Sequence, residues 1–292
     1  MELSWPMKLR IAASATVGVL LIGILAWPMA KPFCRVGAMG SGHVVELVVL
    51  AFVAGFIGYF VSWPFGREIG ILAVPFGLSV WAIRSGSMAG LIQLNPTADL
   101  RMALVASLRW EAFFWLIIVA AGFLGVLLGW KLVPSKSQPK HEQSKSGPGK
   151  YLNLIIALVC SVAIAQFCIG IIAQDVRVFV DNTRHSVVAQ PAIGQIVFAV
   201  LVSFGCAAFV AKKFLNAGYI WPSISSAFVI AYATTIYAGA IPQFVQNWPA
   251  AFFSNSVISV LPVQMVAFGT LGSVAGYWMA IRYDYWRKHE IK

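Results

Sequence analysis

The chain has 292 residues, of which 60% are hydrophobic and only 11% are charged, and its mean hydropathy is +0.81. Soluble proteins carry about 25% charged residues, so this composition excludes a soluble globular domain and indicates a protein whose natural solvent is the lipid bilayer. The formal net charge of +11 would suggest a nucleic-acid partner in a soluble protein. In a membrane protein, attraction to anionic headgroups explains it, and no nucleic acid is expected.

About eight apolar segments are long enough, or nearly so, to cross roughly 30 Å of hydrocarbon as helices. The sequence therefore predicts an all-α, polytopic membrane protein with the lipid bilayer as its main partner. In chain order, the predicted helices are Leu9–Pro28, His43–Trp63, Ile69–Ile83, Trp110–Trp130, Tyr151–Ala173, Ile193–Ala211, Tyr219–Ala240 and Val260–Ile281.

The first segment resembles a secretory signal peptide, because Lys8 and Arg10 precede an apolar stretch that ends in Pro28-Met-Ala. The stretch is long for a signal peptide, however, and the fifth segment is its counterpart in an internal repeat. We therefore expect the first helix to be retained in the mature protein.

The second segment carries a polar pair near its outer end. His43 and Glu46 are spaced i and i+3, so a helix places them on one face, where they could share a proton or a ligand. Glu46 aligns with Gln195 in the second half of the chain, which indicates a polar position in both halves. An interfacial polar pair is the simpler interpretation.

The third segment ends at Arg84. If its helix continues through residues 85–87 to Ile92, Arg84 lies below the outer membrane surface and needs a carboxylate partner, for which Glu46 and Glu111 are the candidates. Alternatively, Arg84 extends to the outer headgroups. The third and seventh segments also contain prolines at matching places, Pro75 and Pro222, which are candidate helix breaks of the kind found at transporter binding sites.

The fourth and eighth segments carry the same glycine spacing. Glycines three and four residues apart line one side of a helix and allow a neighbouring backbone to approach closely, so we interpret them as packing surfaces. Before the fourth segment, Asp99–Arg109 has an amphipathic pattern and is expected to lie along the outer interface. The two glycine triplets are Gly122, Gly125 and Gly129, and Gly269, Gly272 and Gly276.

The glycine triplets belong to a wider internal similarity. Short motifs recur in the same order in both halves, for example Ala89-Gly90 with Ala238-Gly239. We predict two four-helix repeats, residues 1–130 and 151–292, joined by a flexible basic cytoplasmic linker at residues 131–150. An even number of helices per repeat makes the two copies parallel.

The basic residues cluster in alternate loops. With the amino terminus inside, fourteen of the 21 Lys and Arg residues fall on the inner side, so both termini are expected to be cytoplasmic, in a bacterial inner membrane. The seven on the outer side are Lys31, Arg35, Arg84, Arg101, Arg109, Arg177 and Arg184.

Motifs for chemistry are missing from the sequence. It contains no phosphate-binding glycine loop, nucleophile elbow or HExxH zinc motif, so no catalytic residue is assigned and an enzyme is not favoured. The four cysteines have no metal-ligand spacing, so no metal, cofactor or disulfide is expected. The outer stretch Gln174–Gln190 is balanced in charge and is interpreted as a solvated loop.

Two classes of function stay open at this point. A permease or facilitator for a small solute fits the duplication and the interrupted third and seventh helices. A non-catalytic membrane subunit or scaffold fits the composition equally well, and its partner would be another membrane protein or a second copy of the chain.

Overall fold

The computed structural model describes residues 4–27, 41–65, 67–133, 148–174, 176–179, 186–247, 249 and 251–290. This part of the chain is mostly helical, and five of its helices are long and apolar enough to cross a membrane. The fold is therefore that expected of a membrane-embedded helical protein, whereas the count of eight spans and the two-repeat arrangement stay predictions. The five candidate spans are Trp5–Leu25, Val44–Ser62, Ala98–Leu132, Tyr151–Ile172 and Ile193–Leu215.

Ten α-helices and three short strands are present in the described residues. The helices are α1 (Trp5–Gly18, continued by a π-helical turn at Val19–Leu25), α2 (Ser41–Ser62), α3 (Arg67–Gly70), α4 (Ala73–Arg84), α5 (Met88–Gln93), α6 (Ala98–Leu132), α7 (Pro148–Ile172), α8 (Ile193–Leu215), α9 (Ile220–Asn247) and α10 (Pro262–Glu290). The strands are β1 (Arg177–Phe179), β2 (Ser186–Ala189) and β3 (Phe252–Phe253), and a 3₁₀ helix spans Ser256–Ser259.

The third apolar segment is divided into shorter helices and does not continue to Ile92. Helix α4 ends at Arg84 because Gly86 has φ +80°, a left-handed conformation that terminates a right-handed helix. Helix α5 then starts after Ser87, whose hydroxyl accepts a hydrogen bond from the Gly90 N–H at 3.3 Å. Ser85, Gly86 and Ser87 are therefore a non-helical turn between two helices.

Helix α6 is longer than the predicted fourth segment. It begins at Ala98, where the Thr97 hydroxyl accepts a hydrogen bond from the Leu100 N–H, and it continues for 35 residues, about 50 Å. The amphipathic stretch Asp99–Arg109 is thus the first part of this helix rather than a separate interfacial helix. Only about 30 Å of the helix is needed to cross the hydrocarbon.

The strands form a small antiparallel sheet in the order β1-β2-β3, where the sequence predicted only helices and a solvated loop. Val187 and Val188 in β2 and Phe253 in β3 are buried, so this region has an apolar core of its own. Two short runs of β-branched and aromatic residues favour strand pairing here. The charged residues between them led to the interpretation of this stretch as a solvated loop.

The chain forms two compact units. Unit 1 contains residues 1–33, 37–84 and 114–152, and unit 2 contains residues 34–36, 85–113 and 153–292. These boundaries differ from the predicted halves because residues 85–113 pack with the second half of the chain. The basic linker falls largely outside the described residues, which end at Val133 and resume at Pro148.

Within unit 1, the first glycine triplet lies against α2. A Cβ atom added to Gly125 would lie 2.9 Å from the Phe56 backbone nitrogen, and one added to Gly129 would lie 2.7 Å from the Tyr59 ring. Residue numbers rise together along the contact, so α2 and α6 run parallel. We call this contact the α2–α6 seam.

Within unit 2, the second triplet lies against α8 in the same manner. A Cβ atom added to Gly272 would collide with the Leu201 carbonyl oxygen and lie 3.1 Å from the Leu201 Cα, and one added to Gly276 would lie 2.8 Å from the Gly205 Cα. Helices α8 and α10 also run parallel, and we call their contact the α8–α10 seam. The two seams have nearly the same register, since 129 − 59 is 70 and 276 − 205 is 71.

Candidate functional site

The His43–Glu46 pair lies on α2, as predicted. Glu46 is exposed on that helix, whereas the side chain of His43 lies outside the described residues. The structure therefore gives no distance between the two side chains, and their shared site stays a prediction.

Arg84 is the last residue of α4 and is exposed. Its guanidinium lies 4.1 Å from the centroid of the Trp27 ring, and Trp27 in turn contacts Trp81 edge to face at 5.4 Å. Trp81 is buried and donates a hydrogen bond from its indole nitrogen to the Ile22 carbonyl at 2.6 Å. In unit 1, Arg84 thus has an aromatic partner at an exposed position.

The expected carboxylate partners of Arg84 stay predictions. Glu111 is half-buried on α6 and belongs to unit 2, whereas Arg84 belongs to unit 1. Because α4 ends at Arg84, the extended third helix that was to place this arginine below the membrane surface is absent from the structure.

Gln195 connects two segments of unit 2 by hydrogen bonds. Its amide nitrogen donates to the carbonyls of Ile172 at 3.0 Å and Gln174 at 2.9 Å, so it satisfies groups that the end of α7 leaves open. The aligned residues Glu46 and Gln195 therefore differ in environment as well as in charge, because one is exposed and the other caps a helix.

Both predicted helix-breaking prolines occupy the third position of a helix. Pro75 lies in the first turn of α4 and Pro222 in the first turn of α9. In a first turn the missing N–H removes no intrahelical hydrogen bond, so proline is tolerated there. The break in the third segment lies before Pro75, at Ile71 and Leu72, and again at Ser85–Ser87.

Unit 2 contains a group of buried and half-buried polar contacts that the sequence did not indicate, and we call it the polar junction. It comprises the turn Ser85–Ser87, Gln190, the stretch Ser256–Leu261 and Gln264. Two connecting stretches of chain meet here, the turn between α4 and α5 and the stretch between β3 and α10 that contains the 3₁₀ helix. Residues Ser256–Leu261 are buried, whereas Gly86 in the turn is exposed.

Two glutamine side chains hold the polar junction together. Gln264 is fully buried; its amide nitrogen donates to the Gly86 carbonyl at 3.1 Å, and its oxygen accepts from the Leu261 N–H at 3.0 Å. Gln190 accepts from the Ala89 N–H at 3.0 Å and donates to the Ser259 carbonyl at 3.2 Å. Amide side chains suit this position because each has both a donor and an acceptor for backbone groups that lack helical partners.

Arg101, near the start of α6, is the second feature that sequence reasoning missed. It is only 8% exposed, although the sequence placed it among outer surface charges. Leu104, Val105 and Leu108 are buried on the same side of the helix, at i+3, i+4 and i+7 from Arg101. This spacing was the signal that could have identified a buried arginine.

Arg101 is positioned by the chain that follows the polar junction. Its Nε donates to the Asn95 carbonyl at 3.1 Å, and Asn95 is itself buried, with its amide nitrogen donating to the Leu91 carbonyl at 2.9 Å. The buried Tyr237 of α9 lies within electrostatic range of the guanidinium. Farther along the same two helices, Phe113 packs edge to face on Phe228 at 5.5 Å.

These groups can bind and orient a solute by hydrogen bonds and charge. Among the described residues, no group of three or more His, Cys, Asp or Glu side chains is placed to hold a metal ion. Comparison with protein-family models, curated proteins and solved structures finds no match to this chain.

Proposed function

We propose that the protein is a permease or facilitator that allows a small solute to cross the membrane. The observation that carries the proposal is the polar junction of unit 2, where Gln190 and Gln264 link the turn Ser85–Ser87 and the start of α5 to the buried stretch Ser256–Leu261. Non-helical backbone at membrane depth occurs only where it is buried in protein or lines a cavity. In transporters, such interrupted helices supply the groups that bind the solute.

The repeat supports the same proposal. The α2–α6 and α8–α10 seams have the same direction and nearly the same register, which is what a duplication of a four-helix unit would produce. Duplicated helical units with interrupted helices are typical of transporters. Within this proposal, both termini are cytoplasmic and the membrane is a bacterial inner membrane.

The candidate polar residues of the sequence are proposed to contribute to the solute path. His43 and Glu46 on α2, Arg84 at the end of α4 and Glu111 on α6 would add ionisable groups to the path. Gln195 would have a structural role, because its amide already holds the end of α7.

A flux assay tests the proposal directly. The purified full-length chain is reconstituted into liposomes, and swelling is followed by light scattering with glycerol, urea, acetate and phosphate as solutes. We expect at least one solute to enter faster than it enters protein-free liposomes. Rates equal to those of protein-free liposomes for all solutes, with the protein correctly inserted, would show that the chain is not a permease.

A non-catalytic membrane subunit is the second candidate, and one surface favours it. Helix α7 exposes an apolar row that includes Ile155 at 59%, Val159 at 60% and Phe167 at 70%. Lipid covers such a row in an isolated protein, and a helix of a partner would cover it in a complex. Purification from native membranes distinguishes the two cases, since a stoichiometric companion supports the subunit.

A further inference from the structure

The first turns of α6 show an inverted pattern of burial. Arg101 is 8% exposed, whereas its neighbours Leu100 and Met102 are 45% and 44% exposed. A helix in water exposes its arginine, so this pattern indicates apolar surroundings outside, and Arg101 shares its buried side of the helix with Leu104, Val105 and Leu108.

The guanidinium of Arg101 is held at one end only. Its Nε donates to the Asn95 carbonyl, and the structure shows no hydrogen bond or ion pair from its two terminal nitrogens to any described residue. Asn95 is fixed by its bond to the Leu91 carbonyl, so the fork of the guanidinium has a defined orientation. A held arginine with two open donors is suited to bidentate binding of a carboxylate or a phosphate.

Among the described residues, Arg101 forms no ion pair with a carboxylate. Asp99 is exposed and lies two residues away, on another side of the helix, and Glu111 lies about 15 Å farther along α6. Arg109, about 12 Å along the helix, adds a second positive charge, and its Nε is buried without a hydrogen-bond partner among the described residues. Burying a charge costs free energy unless a counter-charge accompanies it, so an anion is the chemistry that the described residues on this side of α6 lack.

We infer that Arg101, with Asn95 holding its Nε and Tyr237 beside it, binds a small oxyanion that presents a carboxylate or a phosphate group. The inference rests on the proposed function in naming this anion as the class of solute. A free anion and the phosphate of an anionic lipid share the chemistry that the site recognises. Binding of the anion at Arg101 does not require that the anion be transported.

Thermal unfolding of the purified protein in neutral detergent tests the inference, with sodium phosphate as the probe and sodium chloride at equal ionic strength as the reference. A ligand that binds only the folded state raises the melting temperature, by an amount that grows with the logarithm of its concentration above the dissociation constant. We expect phosphate to raise the melting temperature of the natural protein, Arg101→Gln to abolish this rise, and Arg101→Lys to retain part of it. Arg287→Gln is the matched control, because it removes an exposed arginine near the end of α10 and should leave the rise unchanged.

A second titration distinguishes a free anion from a lipid headgroup. It measures the melting temperature with short-chain phosphatidylglycerol as the probe and phosphatidylcholine as the reference. A rise with phosphate supports a free solute, and a rise with phosphatidylglycerol alone supports a lipid headgroup; both retain the oxyanion site. If Arg101→Gln fails to fold, Arg101→Lys decides, since a site that depends on the fork of the guanidinium must bind phosphate more weakly.

The inference is overturned if neither probe shifts the natural protein, or if the shift is the same in Arg101→Gln or Arg101→Lys as in the natural protein. Failure of the permease proposal has a different signature. Binding of phosphate that depends on Arg101, without flux of any solute, removes the permease and keeps the site. Flux of glycerol or urea without any effect of either anion probe keeps the permease and removes the site.

Discussion

The glycine seams and the polar junction stabilise the molecule in different ways. In the α2–α6 and α8–α10 seams, bare backbones approach so closely that a single methyl group would collide, and nothing polar is required. In the polar junction, Gln190 and Gln264 replace the hydrogen bonds that regular helices would supply. The seams are thus suited to rigid packing, whereas the junction places polar groups between the ends of helices.

The largest effect is expected from removing the amide that closes the polar junction. Gln264→Leu leaves the buried Leu261 N–H without this partner, at about 1 to 3 kcal/mol, and removes the bond to the Gly86 carbonyl, at about 0.5 to 1.5 kcal/mol, so we expect the free energy of unfolding to fall by about 3 kcal/mol. Unfolding by sodium dodecyl sulfate measures this. Gln93→Leu, at an exposed position of α5, is the control and should change little. Equal losses in the two variants would contradict the importance of the junction.

A somewhat smaller loss is expected in the seams, and it should be similar in both. Gly125→Ala and Gly276→Ala each force two helices apart, and such overpacking costs about 1 to 3 kcal/mol. Gly170→Ala is the control, because a Cβ added there meets no atom within 4 Å. It should be neutral or stabilising by up to about 1 kcal/mol, since alanine favours the helix. A loss in only one seam would break the equivalence of the two.

The smallest effect is expected at Arg84, whose contact is exposed. Arg84→Gln removes the cation from the Trp27 ring, and an exposed interaction of this kind contributes about 0.5 to 1 kcal/mol. The melting temperature in detergent should therefore fall slightly, and Arg84→Lys should recover part of it. A fall as large as that of Gln264→Leu would indicate that Arg84 has a second, buried role.

Apolar length predicted the positions of the long helices well, because a segment that must satisfy its backbone within a bilayer has few alternatives to a helix. The end of the third segment was predicted to within one residue, because α4 ends at Arg84, but the break at Ile71 and Leu72 was missed because the apolar run continues through it. The small sheet was missed for another reason: β3 follows β2 by more than sixty residues, and strand pairing over that separation has no local signature.

The candidate site was harder to predict than the fold. Charge alone led to His43, Glu46 and Arg84, and the glutamines were given less weight, yet Gln190 and the buried Gln264 make the contacts of the polar junction. Arg101 could have been recognised from its spacing to Leu104 and Leu108. The contact of its Nε with the Asn95 carbonyl could not, because it depends on how the chain turns at Pro96 before α6 begins.

The packing of residues 85–113 with the second half of the chain sets an order of events during synthesis. These residues leave the ribosome before any part of residues 153–292 exists, and Gly86 receives its hydrogen bond from Gln264, which is made near the end of translation. Until then, Arg101 and the Ser85–Ser87 turn lie in the translocon or in the bilayer without the residues of the second half of the chain that pack against them. Unit 2 is therefore completed only after translation, and a chain that stops before α10 would leave it open.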